Sequence, residues 1–342
     1  LHLHSLDFSY ESVSLKDAEI FVVLSSGNLI EEVEFKLDEF SFEYDSLSIY
    51  STAIDARLLN NHGSYSFNGG FKSLELEYSD FGAKLENVAL KASIADIFSP
   101  DISTLDAQLS FTGGDVYYSD EFYSRYYPAY IRLDNEMIYS AVSLIVASYE
   151  NYAISISDLS ASYSLSEKSF SVDSVNTVIY DETEPLLNIE NALINGSVEN
   201  RSAHVSVRSI GSDYINEYIS AFSFMTLSGL NIDITYDSML NLSFDSYLEL
   251  NSEEAILDGI NMRLSSNLVY EDEIQSLSLS LNNIKLTKNT APMHLNLRYV
   301  DGMADLYFIY SDYVRLDASI GNEISVDATI DELSLSEFSP YI

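Results

Sequence analysis

Apolar and polar residues alternate with a period of two along almost the whole chain. Leu277, Leu279 and Leu281 are separated by serines, and Leu230, Ile232, Ile234 and Tyr236 repeat the pattern. Leu240, Leu242 and Phe244 follow, and Ile324, Val326, Ala328 and Ile330 extend it toward the C-terminus. Successive side chains on a strand point to opposite faces, so each run predicts a ribbon with one oily face and one wet face. Clusters such as Asn60-Asn61-His62-Gly63, Asn68-Gly69-Gly70, Gly113-Gly114-Asp115, Asn195-Gly196, Asp301-Gly302 and Gly321-Asn322 predict hairpin turns between the ribbons. Closely spaced turns and scarce helical patterns predict an antiparallel meander, because parallel pairing needs crossover helices.

The alternation changes parity in places. Val33, Phe35 and Leu37 are followed by Phe40, Phe42 and Tyr44, and then by Leu47 and Ile49. A slip of one residue exchanges the two faces, so each change predicts a bulge or a short turn. Two stretches depart from the strand rhythm. From Ser212 to Phe224, Ile215, Tyr218, Ile219 and Phe222 fall at helical spacing behind a capping Ser212 or Asp213, which predicts a short amphipathic helix. The Tyr-rich stretch 117–130, with Pro128, predicts a loop or a short helical insert. No linker separates domains, so residues 1–342 read as one continuous unit with possible subdivision near 115–130 and 211–227.

Charge narrows the partners. There are 54 acidic residues against 16 Lys and Arg, a formal net charge of −38. Phosphate backbones need clustered bases, so nucleic acid is excluded as a partner, and anionic headgroups are disfavoured as a landing surface. Only 20% of residues are charged and 46% are hydrophobic, which predicts a folded chain rather than an acidic tail. With no cysteine there is no disulfide, thiolate nucleophile or Cys-ligated metal. The chain opens on Leu1 without a signal peptide and ends on Ser339-Pro340-Tyr341-Ile342, and reads as part of something longer. No apolar run reaches the ~20 residues of a spanning helix.

Readable catalytic chemistry is missing. His2 and His4 would share a strand face and could begin a metal site, but two ligands with no third nearby favour a plain surface strand. His62 falls in a turn, and His204 and His294 are isolated. Glu31-Glu32, Glu253-Glu254 and Glu271-Asp272-Glu273 lack the spacing of a calcium loop and read as solvated faces. No nucleophile elbow or phosphate-binding loop is present. The chain is therefore expected to be neither an enzyme nor a holder of a cofactor or metal.

Three architectures would hide the apolar faces: a two-sheet sandwich, a closed barrel, or a curled sheet with an apolar concave side. The first would suit a secreted adhesin or interaction module and the second an outer-membrane protein. Persistent alternation without linkers favours the third, an all-β, elongated, curled antiparallel sheet with one or two short helical interruptions. The residues expected to line its interior are Leu230, Ile232, Ile234, Leu240, Leu242, Phe244, Ile260, Met262, Leu264, Leu277, Leu279, Leu281, Leu295 and Leu297.

The texture of the chain also resembles a family. Leu227-Ser228-Gly229-Leu230-Asn231-Ile232 follows the helix-like stretch, and Leu333 to Ile342 closes the chain. Between them lie rows such as LDGINMRLSS, from Leu257 to Ser266, and SLSLSLNNIKL, from Ser276 to Leu286. These resemble the AsmA-like proteins, particularly TamB-type envelope proteins, over most of the chain. The resemblance implies a periplasmic β-groove that shelters phospholipid acyl chains between the two membranes of a bacterial envelope, or that supports outer-membrane assembly. It further implies inner- and outer-membrane envelope proteins as partners.

Overall fold

The computed structural model describes residues 1–331 except 11, 25–29, 62–63, 96–101, 120, 213–223, 252–259, 272, 286–290, 312 and 322. The chain divides into two compact units, Leu1–Lys168 and Ser169–Ile342. Both are built from antiparallel strands that mostly pair with their neighbours in sequence, so the all-β antiparallel expectation holds. Among the described residues the one helical element is a 3-10 turn at Ile102–Thr104, and no helix is long and apolar enough to cross a membrane.

The first unit holds β1 (His2–Tyr10), β2 (Val13–Leu24), β3 (Ile30–Tyr44), β4 (Leu47–Asn61), β5 (Ser64–Tyr78) and β6 (Phe81–Ile94). It continues with β7 (Asp106–Phe111), β8 (Gly113–Tyr118), β9 (Phe122–Tyr126), β10 (Ala129–Asp134), β11 (Met137–Tyr149) and β12 (Tyr152–Ser164). Two-residue turns such as Asp45-Ser46, Asn135-Glu136 and Glu150-Asn151 close its hairpins, with φ of 54° at Asp45, 46° at Asn135 and 65° at Glu136. Such left-handed turns match the twist of the flanking strands.

The 117–130 expectation of a loop or helix is corrected here. This stretch runs from the end of β8 through β9 into β10. β7 and β8 lie along the two halves of β6, and β10 and β9 lie along the two halves of β11. They are two long strands, each broken once, at Thr112 and at Tyr127-Pro128. Pro128 lacks the N–H a continuous ladder needs, so the strand interrupts there, and its carbonyl still accepts from the Ser143 N–H.

The second unit holds β13 (Ser169–Asp181), β14 (Glu184–Ser197), β15 (Ser202–Ser212), β16 (Phe224–Tyr236), β17 (Leu240–Asn251) and β18 (Ile260–Glu271). Then come β19 (Glu273–Lys285), β20 (Met293–Val300), β21 (Met303–Tyr310), β22 (Val314–Ile320) and β23 (Ile324–Ile330). The expected helix over Ser212 to Phe224 falls almost wholly on residues outside those described.

Asp301-Gly302 lies between β20 and β21 as expected, and of Gly321-Asn322 the described Gly321 follows β22, but three other glycine clusters are not turns. Asn68-Gly69-Gly70 lies inside β5, Gly113-Gly114-Asp115 begins β8, and Asn195-Gly196 lies inside β14. Close approach explains two of them. A Cβ at Gly70 would strike the Val88 carbonyl oxygen, and one at Gly196 would lie 2.5 Å from the Phe170 ring and 2.6 Å from the Ser202 oxygen. Glycine in a strand interior marks such approaches as well as turns.

A feature the pattern only hinted at runs through both units. Strands β2 to β6, β11 and β12 each have one kinked position near the middle, and neighbouring kinks oppose one another. Asp38 faces Ala53, because Leu37 pairs Ile54 and Glu39 pairs Thr52. Lys72 faces Asn87 in the same way, and Ser143 faces Asp158. In the second unit the line passes through Val175, Asn191, Arg208 and Gly229. On alternate strands the kink is left-handed, with φ of 52° at Asp17, 49° at Ala53, 48° at Asn87, Asp158 and Asn191, and 61° at Gly229. Kinked residues are exposed, whereas Ala18, Leu37, Ser51, Val88, Ser174 and Val207 beside them are buried. The sheet of each unit is therefore creased, with mostly polar residues along the outside and its few buried side chains along the inside.

Candidate functional site

The crease explains the parity change between Leu37 and Phe40, whereas the one between Tyr44 and Leu47 is the Asp45-Ser46 hairpin turn. Away from the crease, apolar residues recur every second position. Across it the spacing lengthens to three, as in Leu37 to Phe40, Phe71 to Leu74, Leu85 to Val88 and Ile156 to Leu159. The two residues between, such as Glu86 and Asn87, stand on the outside, where the Asn87 side-chain amide donates to Thr112 Oγ1 at 2.8 Å. The switch therefore keeps apolar residues on one face through the bend.

Cross-strand register collects that face into rows. In the second unit, Phe244 pairs Ser266, Ser266 pairs Leu279, Leu279 pairs Leu297, and Leu297 pairs Leu306. A parallel row joins Ile234, Leu242, Leu268, Leu277 and Tyr299, and another joins Leu264, Leu281, Leu295 and Phe308. Leu230 and Ile232 stand opposite Val207 and Val205, Leu240 opposite Tyr270, Met262 opposite Leu248, and Ile260 opposite Leu250. All fourteen expected lining positions thus share one face of the second unit. Those whose side chains are described are half-buried: they stand beside their row neighbours and keep part of their surface open.

The expectation missed the first unit. There Phe42, Ile49, Leu76, Ala83, Val116, Ser124, Ala147 and Ile154 form one row. Beyond the crease, Phe35, Ala56, Gly69, Leu90, Leu109, Ile131, Ser140 and Ala161 form another. The parity change had split these strands into runs of two or three, too short to stand out.

The opposite face is polar and laced with ion pairs. One row of the second unit reads Asp233, Ser243, Asn267, Ser278, Arg298, Asp305 and Ser319. Arg263 donates through Nε and Nη2 to both carboxylate oxygens of Asp245, at 2.9 and 2.8 Å, which holds Asp245 below the usual carboxylate range. In the first unit Tyr123 donates to Asp115 at 2.7 Å beside Arg125. That hydrogen bond to the carboxylate, with partial burial, raises the Tyr123 phenol. Glu32, one of the paired acids noted in the sequence, is engaged by Arg57.

His204 Nδ1 meets Asp233 Oδ1 at 2.6 Å with both side chains open to solvent. At the start of the chain the structure supplies the third donor that sequence spacing did not. A register shift between Leu3 and Leu6 bulges β1 and sets His4 beside Glu19, 3.3 Å from Nδ1 to Oε1. His2, braced edge-on against Phe21, completes a set of donor atoms within 4.8 Å of one another, two imidazoles and a carboxylate of the kind that can hold a divalent ion. Glu19 lies on the neighbouring strand, so no local motif announces it.

No protein-family model matches this chain, and no curated protein sequence matches it either.

Proposed function

We propose that this chain shelters phospholipid acyl chains on its apolar β-face, as a TamB-type, AsmA-like envelope protein would, and that it does so without catalysis. The setting is the periplasm of a bacterial envelope, where lipid passes between inner and outer membranes or supports outer-membrane assembly, with envelope proteins of both membranes as partners. The observation that carries this reading is the registered set of aliphatic rows, Phe244 to Leu306 and its neighbours, whose side chains keep open surface. An acyl chain laid on such rows gains about 0.8 kcal/mol for each CH2 removed from water. Rows of similar Leu, Ile and Phe offer no preferred stopping place, so a chain can slide along them. The polar headgroup stays at the edge of the face, in solvent.

The test is direct. The chain is purified without detergent and its bound lipid measured by mass spectrometry. Phospholipid should copurify, and Leu279→Asp should strip most of it, because an unpaired carboxylate on an apolar face is costly to bury. A soluble, folded chain that carries no lipid, or a Leu279→Asp chain that carries as much as the parent, overturns the reading.

A further inference from the structure

The apolar face of the first unit ends, at its turns, in a row of aromatic side chains. Tyr44 pairs Leu47, Leu47 pairs Tyr78, and Tyr78 pairs Phe81. The row continues through Tyr118, Phe122, Tyr149 and Tyr152. Each belongs to the apolar parity of its strand: Tyr44 extends Phe40 and Phe42, Tyr78 extends Leu74 and Leu76, and Tyr152 leads into Ile154 and Ile156. The tyrosines that look scattered in the sequence are thus collected by register into the lip of one face. They are also wet. Tyr44, Tyr78, Tyr118, Tyr149 and Tyr152 are 69%, 57%, 56%, 51% and 52% exposed.

The turns behind this lip carry acids. Tyr44 leads into Asp45-Ser46, Tyr78 into Ser79-Asp80, and Tyr149 into Glu150-Asn151. Asp45, Asp80 and Glu150 are exposed, and each is adjacent in sequence to an aromatic residue of the lip, Tyr44, Phe81 and Tyr149. A tyrosine face attracts ammonium through its quadrupole, and a carboxylate beside it adds a full negative charge. The same arrangement repels a net-anionic headgroup. Tyrosine suits such a border, with an apolar body toward the hydrocarbon and a hydroxyl toward water.

We propose that this lip recognises the ammonium of zwitterionic phospholipids, with ethanolamine or choline headgroups, whose acyl chains lie on the apolar face of the first unit. This deepens the acyl-chain reading and rests on it. The lip sets lipid selectivity, while the aliphatic rows supply affinity. The ligand is a single lipid held by the protein rather than a bilayer surface.

The test offers the full chain to vesicles of equal parts phosphatidylethanolamine and phosphatidylglycerol. Protein is separated from vesicles by flotation, and the lipid it retains is measured by mass spectrometry. Retained phosphatidylethanolamine should exceed phosphatidylglycerol several-fold. Two variants are compared: Tyr44→Leu, Tyr78→Leu, Tyr118→Leu and Tyr149→Leu together, and Asp45→Asn, Asp80→Asn and Glu150→Gln together. Both should keep the total lipid and lose the preference. A preference that survives both variants belongs to the net charge of the chain and overturns the proposal. Lipid retained in the vesicle ratio by the parent chain overturns it as well. Protein that floats with the vesicles shows bilayer docking instead of single-lipid capture, which also overturns it. Retention of no lipid of either kind defeats the acyl-chain reading itself, and the lip proposal falls with it.

Discussion

Strands β3 to β6 and, as far as Leu281, strands β17 to β20 use the same alternation to different ends; beyond Leu281, β19 has its own left-handed position at Asn283, φ 62°. In the first group every strand bends once, and its apolar residues skip from a spacing of two to a spacing of three at the bend. In β17 the apolar parity runs unbroken from Leu240 through Leu242, Phe244 and Leu248 to Leu250, and β17 pairs β18 without a shift. The creased group tucks Leu37 and Val88 into the inside of its bend, 3% and 4% exposed. The straight group leaves Leu277, Leu279 and Leu295 half-open. A kink shared by neighbouring strands thus tucks Leu37 and Val88 inward, while the unkinked stretches leave most of their leucines half-open, with Leu250 near the end of β17 buried. Stability is expected to concentrate at the crease and binding to extend over the open rows.

The largest difference should come from truncating one leucine in each group. Leu37→Ala removes a buried side chain and should cost about 2–5 kcal/mol in urea unfolding. Leu279→Ala, whose side chain is already partly wet, should cost roughly 1–2 kcal/mol. Equal losses would mean that the two regions are packed alike and the comparison fails.

Backbone strain at the bend should give a smaller effect. Asn87 holds a left-handed conformation, φ 48°, and its amide bonds Thr112. A β-branched residue tolerates that conformation poorly, so Asn87→Val should destabilise by about 1–3 kcal/mol. Ala53, at φ 49°, should behave oppositely: Ala53→Gly relieves the left-handed cost and should stabilise by up to about 1 kcal/mol. Both signs are needed. If Ala53→Gly destabilises, the kink is not the conformation that the sheet adopts in solution.

The fold class was legible in the sequence because alternation is a local property of each strand. That the fourteen expected residues share one face was legible for the same reason, since each of their strands keeps one parity over the residues named. The crease was half legible. The change between Leu37 and Phe40 is visible, but a turn would produce the same break, and only pairing partners tell that β3 continues through it. The aromatic lip was not legible, because Tyr44, Tyr78, Tyr118 and Tyr149 are far apart in sequence and meet only through register. Glycine misled at Gly69-Gly70 and Gly196, where it relieves crowding against Val88 and Phe170 inside a strand.

The smallest effect belongs to the polar face. The Arg263 hydrogen bonds hold Asp245 below its ordinary value. A depressed carboxylate pKa means that the pair contributes fully above about pH 4 and that this contribution fades as pH falls through the folded-state value. Asp245→Asn should therefore lower thermal stability slightly at pH 7 and leave it unchanged at pH 2. The difference should shrink in high salt, because both side chains are exposed. A loss that persists at pH 2 would assign Asp245 a packing role instead.

If one face takes acyl chains and passes through the crease, photo-crosslinking side chains placed one at a time will detect it most directly, in chain exposed to phospholipid vesicles. Capture is expected at Leu242 and Leu279 on the straight strands, and at both Ile49 and Ile54, which have opposite parity on either side of the Ala53 kink. Asn241, Ser278, Tyr50 and Asp55 should capture none. Equal capture at neighbouring positions, or capture at Ile49 and Asp55 in place of Ile54, would contradict a single apolar face that continues through the bend.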